Sequence, residues 1–580
     1  MEHVFEYPFT AKELFTQRKS LKRKFQANLE KSTEKLKIAV LGGSTTTDLI
    51  QVIELMFLNS GVAVEIFESE YNRFKEIALY DSEALSNFAP DVIYIHTTVK
   101  NLDFTHTPEL VFAEYKEIWG AIRSKTKAPI IQNNFEFLAE RAFGNLESSN
   151  HSGKLNFINS VNAFFSQHAR ETASFYLNDI NYLSSFFGIK KWFDSPYWNN
   201  YKIPYSVEAT PYVAKSFCSI VTAHLGKSKK CLVLDLDNTL WGGVIGDDGL
   251  NGISIGQGDA LGEAYLDFQK YIKGLKLRGV ILAVCSKNDI ETAKAAFSHP
   301  DSFLKLDDFS SFQASWDMKT EGLKKIAQDL NIGLDSLVFI DDNPAERELI
   351  RKQLPMISVP EIGEDVSEYA AYIDMNGYFE SVKILKEDLD KGNLYSTNQA
   401  RQASEAQFDS YHEFLVSLEM SSEIRNFSNE HLDRITQLLN KTNQFNLTTK
   451  RVGFEEVKAR SEDVTFINFY GRLKDKFGDN GLVSVISGAV VGHTAVIDLW
   501  VMSCRVFKRE LEIAMFNEFL DSCLKKGIKE IKGIYIKSEK NKIVANLYEQ
   551  LGFTKSSDSE WVLADLNNYK KINSAIKVEK

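Results

Sequence analysis

Residues Asp235–Gly243 read DLDNTLWGG and follow directly on the apolar run CLVL, Cys231–Leu234. An unbroken apolar run of this length suits a strand buried on both faces of a parallel sheet. It carries two carboxylates, Asp235 and Asp237, out at its C-terminal end, where open α/β sheets place their ligands. Side chains two apart on a strand share a face, so both acids can converge on one substrate group. One carboxylate can attack phosphorus to give an aspartyl phosphate, and the other can shuttle a proton to the leaving oxygen.

The flanking sequence keeps the alternation of strand and helix that a parallel sheet requires. Helical spacing runs through Ala260–Leu277, VILAVCS (Val280–Ser286) reads as a strand, and a helix follows from Asp289. A helix over Lys319–Leu330 leads to the strand SLVFIDD (Ser336–Asp342), and Pro344 suits the first turn of another helix. Ser286 ends the second strand and can hydrogen-bond a phosphoryl oxygen. Lys319 supplies positive charge to the phosphoryl oxygens and to the attacking carboxylate. Asp341 and Asp342 add the acid groups needed to hold Mg²⁺, which binds substrate phosphate directly.

At 580 residues the chain exceeds one hydrophobic core. Upstream, LKIAVLGGSTTTD (Leu36–Asp48) is a strand signal followed by a helical pattern over Leu49–Asn59, and Ala89–Thr98 and Ala128–Glu136 are further buried-strand candidates. A polar, helical connector is expected over Glu380–Gln407. Beyond it a helix near Glu430–Asn440 precedes strands near Val464–Tyr470, Leu482–Gly488 and Thr494–Val501, and then a helix over Glu510–Lys525. A net charge of −11 argues against a general nucleic-acid binder. The five cysteines form no CxxC pair, there is no signal peptide and no apolar run long enough to span a bilayer, so a reducing cytoplasm is expected.

The set Asp235/Asp237/Thr239, Ser286, Lys319 and Asp341/Asp342 resembles the four motifs of the haloacid-dehalogenase (HAD) phosphatase superfamily. That resemblance implies Asp235 as nucleophile and metal ligand. It implies Asp237 as general acid/base, lending its backbone carbonyl to the metal, with Asp342 the metal ligand of the pair and Asp341 bridging to Lys319. The stretches Leu234–Gly249, VCSKND (Val284–Asp289) and FIDDNPAERE (Phe339–Glu348), with Asn181–Trp198 and SCRV (Ser503–Val506), are similar to the FkbH-like branch, the HAD-IIIC subfamily. Its members are implied to move a glyceryl group from a phosphorylated glycerate to the phosphopantetheine thiol of an acyl carrier protein, in polysaccharide or secondary-product pathways. Thr239, Lys287, Asn288 and Arg505 are expected to contact substrate. Little chain separates the four motifs, so no lid domain is expected, and the glycines of Gly242–Gly249 suit either a small flap or an ordinary hairpin.

Residues from about 415 to 570 resemble the GNAT acyltransferase fold, closing on KNKIVANLYEQLGF (Lys540–Phe553). That fold cradles a coenzyme pyrophosphate on glycine-rich backbone N–H groups at a helix start. Here Lys508 and Glu510 stand where glycine is usual, which argues against free acetyl-CoA. Cys504 ends the strand VIDLWVMSC beside Arg505 and before a helix, a setting that favours a thiolate able to carry an acyl group; Cys285 is expected to point into the sheet packing. LGGSTTTD resembles the first block of SGNH hydrolases, with Ser44 at the nucleophile position. Gly43 replaces the usual acid, no Asp-x-x-His closes the segment, and His96, His168 and Asp194 lack the spacing, so a docking role is expected.

The expected architecture is therefore a multidomain α/β chain, with a central capless HAD Rossmann-like domain flanked by an SGNH/flavodoxin-like α/β domain and a GNAT-like α+β domain. The expected boundaries are a helical extension over 1–35, the SGNH-like domain over 36–226, the HAD-like domain over 227–378, a helical connector over 379–412 and the GNAT-like domain over 413–580. Two other functions compete with acyl transfer. One is a phosphatase for a sugar or glycerol phosphate, and the other is a non-catalytic assembly scaffold.

Overall fold

The computed structural model describes residues 2–29, 35–389, 401, 404 and 408–579. The chain packs as two compact units, Met1–Ala223 with Tyr372–Val382 and His224–Ala371 with Lys383–Lys580. Residues 390–400, 402, 403 and 405–407 of the connector expected over 379–412 lie outside the described residues; its described start includes a short helix, Lys386–Leu389. Among the described residues no helix is long and apolar enough to cross a membrane. All five cysteines are unpaired.

The first unit opens on helix α1 (Ala11–Asn28) and is built on five parallel strands: β1 (Leu36–Gly42), β2 (Val64–Glu68), β3 (Val92–His96), β4 (Ile130–Asn133) and β5 (Phe175–Asn178). Their order is β2-β1-β3-β4-β5, a flavodoxin-type doubly wound order whose direction reverses between β1 and β3. Helix α2 (Thr47–Asn59) follows β1. Helix α3 (Pro108–Arg123) starts where the Thr107 hydroxyl accepts from Leu110 N and Pro108 takes the first turn. With α4 (Lys154–Glu171) it brings Tyr115, Trp119, Ile158 and Phe165 onto Ile93, Ile95 and Ile130 of the sheet.

The second unit holds two sheets. Strands β6 (Cys231–Leu234), β7 (Ile281–Ser286), β8 (Ser311–Ala314) and β9 (Leu337–Ile340) are parallel in the order β8-β7-β6-β9. All four residues of β6 are fully buried, as the apolar run requires. Helices α5 (Ala260–Leu277), α6 (Lys319–Asp329) and α7 (Pro344–Gln353) complete the layers. Between Thr239 and Ser286 lie one hairpin-like loop and α5; between Ser286 and Lys319 lie a short helix, 3-10 turns and β8. No lid domain is inserted.

The other sheet is mainly antiparallel, with strands β10 (Ser421–Asn426), β11 (Phe466–Asp475), β12 (Gly478–Val491), β13 (Thr494–Met502), β14 (Glu530–Ile534), β15 (Thr554–Lys555), β16 (Glu560–Ala564) and β17 (Lys577–Glu579). Helix α8 (Leu432–Lys441) covers one face through Leu432, Ile435 and Leu439, and α9 (Leu511–Lys525) covers the other through Met515, Phe516 and Phe519. Strand β13 pairs with β14 only over Thr494–Ile497. Beyond that the two strands are bridged by the chain itself, for Leu447 N donates to Trp500 O (3.2 Å), Met502 N to Phe445 O (3.1 Å) and Ile536 N to Leu447 O (2.8 Å).

This sheet packs against the N-terminal edge of the parallel one. A Cβ at Gly226, just before β6, would stand 2.1 Å from the Asn440 carbonyl oxygen, and one at Gly279, before β7, 2.4 Å from that of Asp388. Asp335, before β9, pairs with Lys540. Asn331, beyond the C-terminal end of α6, donates to Cys504 O at 2.8 Å. The catalytic acids expected from the sequence lie at the opposite end of the same strands.

Candidate active site

The strand order of the parallel sheet reverses between β6 and β9, so their C-terminal ends open on one crevice. Asp235 leaves β6 with its N–H on Ile340 O (2.9 Å), which ties it to the end of β9. Asp341 and Asp342 follow β9 directly. Lys319, the first residue of α6, places its Nζ 2.9 Å from Asp235 Oδ2 and 2.6 Å from Asp341 Oδ2. All three side chains are buried, Asp235 being 7% exposed and Asp341 0%. Burial alone would depress the Lys319 ammonium, but Asp235 and Asp341 together hold it above its ordinary value, so it stays charged.

The carboxylates divide by their hydrogen bonds. Asp341 spends one oxygen on Lys319 and accepts Asn343 N–H on the other (2.9 Å). Asp342 exchanges bonds with the Thr239 hydroxyl, at 3.3 Å from its N–H and 3.4 Å to its Oδ1. Burial, and then the charge of Asp235, push Asp341 up to about 7 and Asp342 above its ordinary range. Asp237 turns away from this group. Its Oδ1 accepts from Trp241 Nε1 and Ile245 N, both at 2.9 Å, and its Oδ2 from Asn288 Nδ2 at 3.0 Å. Burial is the largest influence on it and raises its carboxyl, which suits a proton donor.

Whether these residues fit a metal can be read from the acceptors left over. Asp235, Asp341 and Asp342 each offer an oxygen, all within 4.8 Å of one another. Asp235 Oδ1 is buried and has no partner among the described residues. A buried carboxylate oxygen without a donor is costly, and a group of three carboxylates that includes it is the kind of donor set a hard divalent cation takes. The residues fit.

Of the other expected residues, Ser286 is buried at the end of β7, and Thr239 and Asn288 are buried against the carboxylates just described. Lys287 pairs with Glu346 at 2.6 Å. Cys285 lies inward, its thiol directed at Lys319 O (3.5 Å) and pushed up to about 12 by burial. The glycine-rich loop forms a bridge in which Gly242 and Ser254 exchange backbone bonds of 3.0 and 2.8 Å at the mouth of the site. Sequence reasoning passed over Trp241, and over Arg347, whose Nη1 donates to the carbonyls of both Asp341 (2.9 Å) and Asp342 (2.8 Å). Arg347 stands in the quoted FIDDNPAERE motif, which was the available signal.

Cys504 and Arg505 are not brought to this crevice. Cys504 starts a one-turn 3-10 helix after β13, at the far end of α6 from Lys319. Twelve residues at 1.5 Å rise separate Lys319 from Asn331, about 18 Å.

In the first unit the register pairs Gly42 with His96 across β1 and β3, and Ser44 Oγ lies 3.2 Å from His96 Nδ1. His96 Nε2 lies 3.1 Å from the Tyr205 hydroxyl. A histidine partner for Ser44 therefore exists, supplied by the neighbouring strand rather than by a late Asp-x-x-His. Asp194 caps a helix by accepting Tyr197 N–H, and His168 stacks on Trp119. Burial lowers His96 from 6.5 to about 4. A folded value below the unfolded one means that its contribution to stability is whole above pH 6.5 and is lost as pH falls towards 4. His96→Gln should therefore flatten the acid limb of unfolding stability between pH 6.5 and 4 by roughly 3 kcal/mol. Buried Glu136, raised to about 7, acts in the opposite sense in both proteins and drops out of the difference. Parallel acid limbs in denaturant titrations would refute this.

Comparison with known proteins places these features in a family. The family described as FkbH, N-terminal domain, matches residues 37–222. The N-terminal part of the protein BF1531 from Bacteroides fragilis, containing a phosphatase domain and complexed with Mg, is 32% identical, with a TM-score of 0.59, over 63% of this chain and 99% of that one. The ribosomal-protein-S18-alanine N-acetyltransferase from Escherichia coli is 14% identical over 26% of this chain and 99% of its own, with a TM-score of 0.20. No curated protein matches the chain.

Proposed function

This chain belongs to the family of phosphatase-domain proteins that carry an FkbH N-terminal domain, and from that premise we propose that its HAD-like domain transfers phosphoryl groups with Mg²⁺ and Asp235 as nucleophile. The observation that carries this reading is Asp235 itself, charge-compensated by Lys319 on one oxygen and unpartnered on the other, with Asp341 and Asp342 beside it. Mg²⁺ would be held by Asp235, Asp342 and the Asp237 carbonyl, and when bound it neutralises phosphoryl charge. Asp235 forms a bond to phosphorus as the bond to the leaving oxygen breaks, and Asp237 delivers its proton to that oxygen. Water then attacks that phosphorus as its bond to Asp235 breaks, releasing phosphate and giving a proton back to Asp237. Lys319 holds Asp235 in place through its ion pair, while Trp241, Ile245 N–H and Asn288 keep the Asp237 carboxyl aimed. Removing Asp237 should slow the reaction by about 10²–10⁴-fold without changing the products.

The fuller reading is that the phosphorylated three-carbon acid is an acyl phosphate. The Cys504 thiolate attacks its carbonyl carbon as the bond to the phosphate oxygen breaks, and the thiol of an acyl carrier protein then takes the acyl group from Cys504 by thioester exchange. The open, lidless crevice supports a bulky partner. The 18 Å scale between Lys319 and the Cys504 edge requires a mobile arm to connect the two. Intact-protein mass after mixing with an acyl-phosphate donor of the three-carbon acid tests this. Cys504→Ala should keep phosphate release and lose acyl loading; normal carrier loading by Cys504→Ala would return the residue to a packing role.

The same separation favours a second reading, a phosphatase for a sugar or glycerol phosphate acting at Asp235 alone. Phosphate release that needs no carrier would select it, and no release under any condition would leave a scaffold. Ser44→Ala, in the other unit, is expected to leave phosphate release unchanged, and a tenfold fall would tie that unit to the reaction.

A further inference from the structure

Beside the eight-stranded sheet lie two guanidinium groups that are buried and, among the described residues, have no counter-ion. Arg434, on α8, is 6% exposed; its Nη2 donates to Leu482 O at 3.3 Å and its Nη1 to Gln437, while its Nε is buried with no acceptor among the described residues. Arg505, beside Cys504, is 8% exposed; its Nε donates to Ser503 Oγ at 3.3 Å, and its Nη1 is buried with no acceptor among the described residues. Ser503 N is bonded to Val483 O (2.7 Å), the carbonyl next to Leu482 on β12, so both arginines meet at one end of the β12–β13 pair. Neither pairs with a carboxylate among the described residues.

The charges around them do not cancel. Burial, and then Arg505, push Arg434 down to about 10, against the pull of Asp388 and Glu387. Asp388 is already engaged by Gln437 Nε2 at 2.7 Å and Lys441 Nζ at 3.8 Å. Arg509, which donates to Arg505 O at 2.9 Å, is paired with Asp475, as is Arg401. A buried cation without an anion is among the least tolerable arrangements in a protein interior. Two guanidiniums with spare N–H groups match the oxygens of a phosphoryl group in shape as well as charge.

We propose that Arg434 and Arg505 form a second, non-catalytic receptor for a phosphoryl anion, beside Cys504 and apart from the Asp235 crevice. The receptor is built of side chains, while the turn before α9 is held by its own contacts and carries the Glu510 carboxylate. Lys508 and Glu510 hold left-handed φ values of 61° and 62°, the Tyr411 hydroxyl donates to Lys508 O at 2.7 Å, and the Glu510 carboxylate accepts Ala575 N–H at 2.7 Å. The anion is the phosphodiester of a carrier arm or the phosphomonoester of a small molecule. The receptor does not depend on any reaction at Asp235 or Cys504.

The test uses the full chain in chelator, to suppress phosphate binding at the acidic crevice, with inorganic phosphate and 4′-phosphopantetheine as probes and acetate as control. Calorimetry and thermal unfolding should show saturable binding of a phosphate probe by wild type and by Lys508→Ala. Arg505→Met and Arg434→Met should each weaken it about tenfold or more. Without phosphate neither variant should melt below wild type, since each loses an unpaired buried charge. Arg505→Lys, which keeps the charge but not the fork, covers a folding failure of Arg505→Met and should also bind more weakly. Tighter binding of 4′-phosphopantetheine assigns a carrier arm, and equal binding of both probes assigns a free phosphoryl group. No saturable binding by wild type, equal binding by all variants, or an equal response to acetate would overturn the receptor.

Discussion

Asp235→Asn is expected to cut phosphate release on the order of 10⁴-fold or more while leaving the fold intact. The amide keeps the shape of the side chain but cannot donate an electron pair to phosphorus as a carboxylate does. Its structural cost is small for a reason visible in the site. Asp341 and Asp342 are both pushed up by burial and by the charge of Asp235, so neutralising Asp235 relieves repulsion between three acids. Lys319 keeps Asp341 as partner at 2.6 Å. Inorganic phosphate measured in Mg²⁺ buffer, with thermal unfolding of the same samples, checks both halves. Turnover within tenfold of wild type would remove Asp235 as nucleophile, and full turnover of wild type in excess chelator would remove the metal. Asp342→Ala should match the chelated protein in activity.

Lys319→Met should have the largest effect on stability. Its ammonium stands within 2.9 Å of Asp235 and 2.6 Å of Asp341 in a site where all three are buried. Removing it leaves two carboxylates in low dielectric with no counter-charge. Breaking a buried pair from one side costs about 3–5 kcal/mol, because the remaining charge is uncompensated. Asp341→Asn added to Lys319→Met should recover part of that loss, and the double-mutant cycle isolates the pair. Denaturant unfolding in the absence of Mg²⁺ is the measurement. A loss below 1 kcal/mol would mean that water reaches the site and screens the acids. Activity should be lost in both variants, since neither holds Asp235 as wild type does.

Much of the catalytic crevice was legible in the residues. Cys231–Leu234, Ile281–Ser286 and Leu337–Ile340 are strands because they are almost continuously apolar, and each ends at or just before a residue expected to carry the chemistry: Asp235, Ser286 or Asp341. Helix Ala260–Leu277 agrees with its reading at both ends, since Asp259 caps it by accepting Gly262 N–H. Strands Val64–Glu68, Phe175–Asn178 and Ser311–Ala314 went unread because they sit at sheet edges and are only partly buried, which dilutes their apolar pattern. Strand Glu530–Ile534 went unread in the other sheet, being short and carrying Lys532 and Gly533.

The order of the four motifs and the placing of their carboxylates at strand ends thus followed from the sequence alone, because strand ends are set by local apolar runs and short-range caps. Which groups meet across the fold was decided by tertiary structure. Gly42 faces His96 only through the β1–β3 register, and that register brings Ser44 to a histidine 52 positions away. Cys504 looked from its strand end like a companion of Asp235, yet the packing of the antiparallel sheet on the N-terminal edge of the parallel one puts it at the other end of α6. Arg434 and Arg505 lie far apart in the chain and converge only across the end of β12. Such pairings depend on sheet order and on which edge a layer covers. Both are set by the total area that can be buried, a sum over the whole chain that no local stretch of sequence contains.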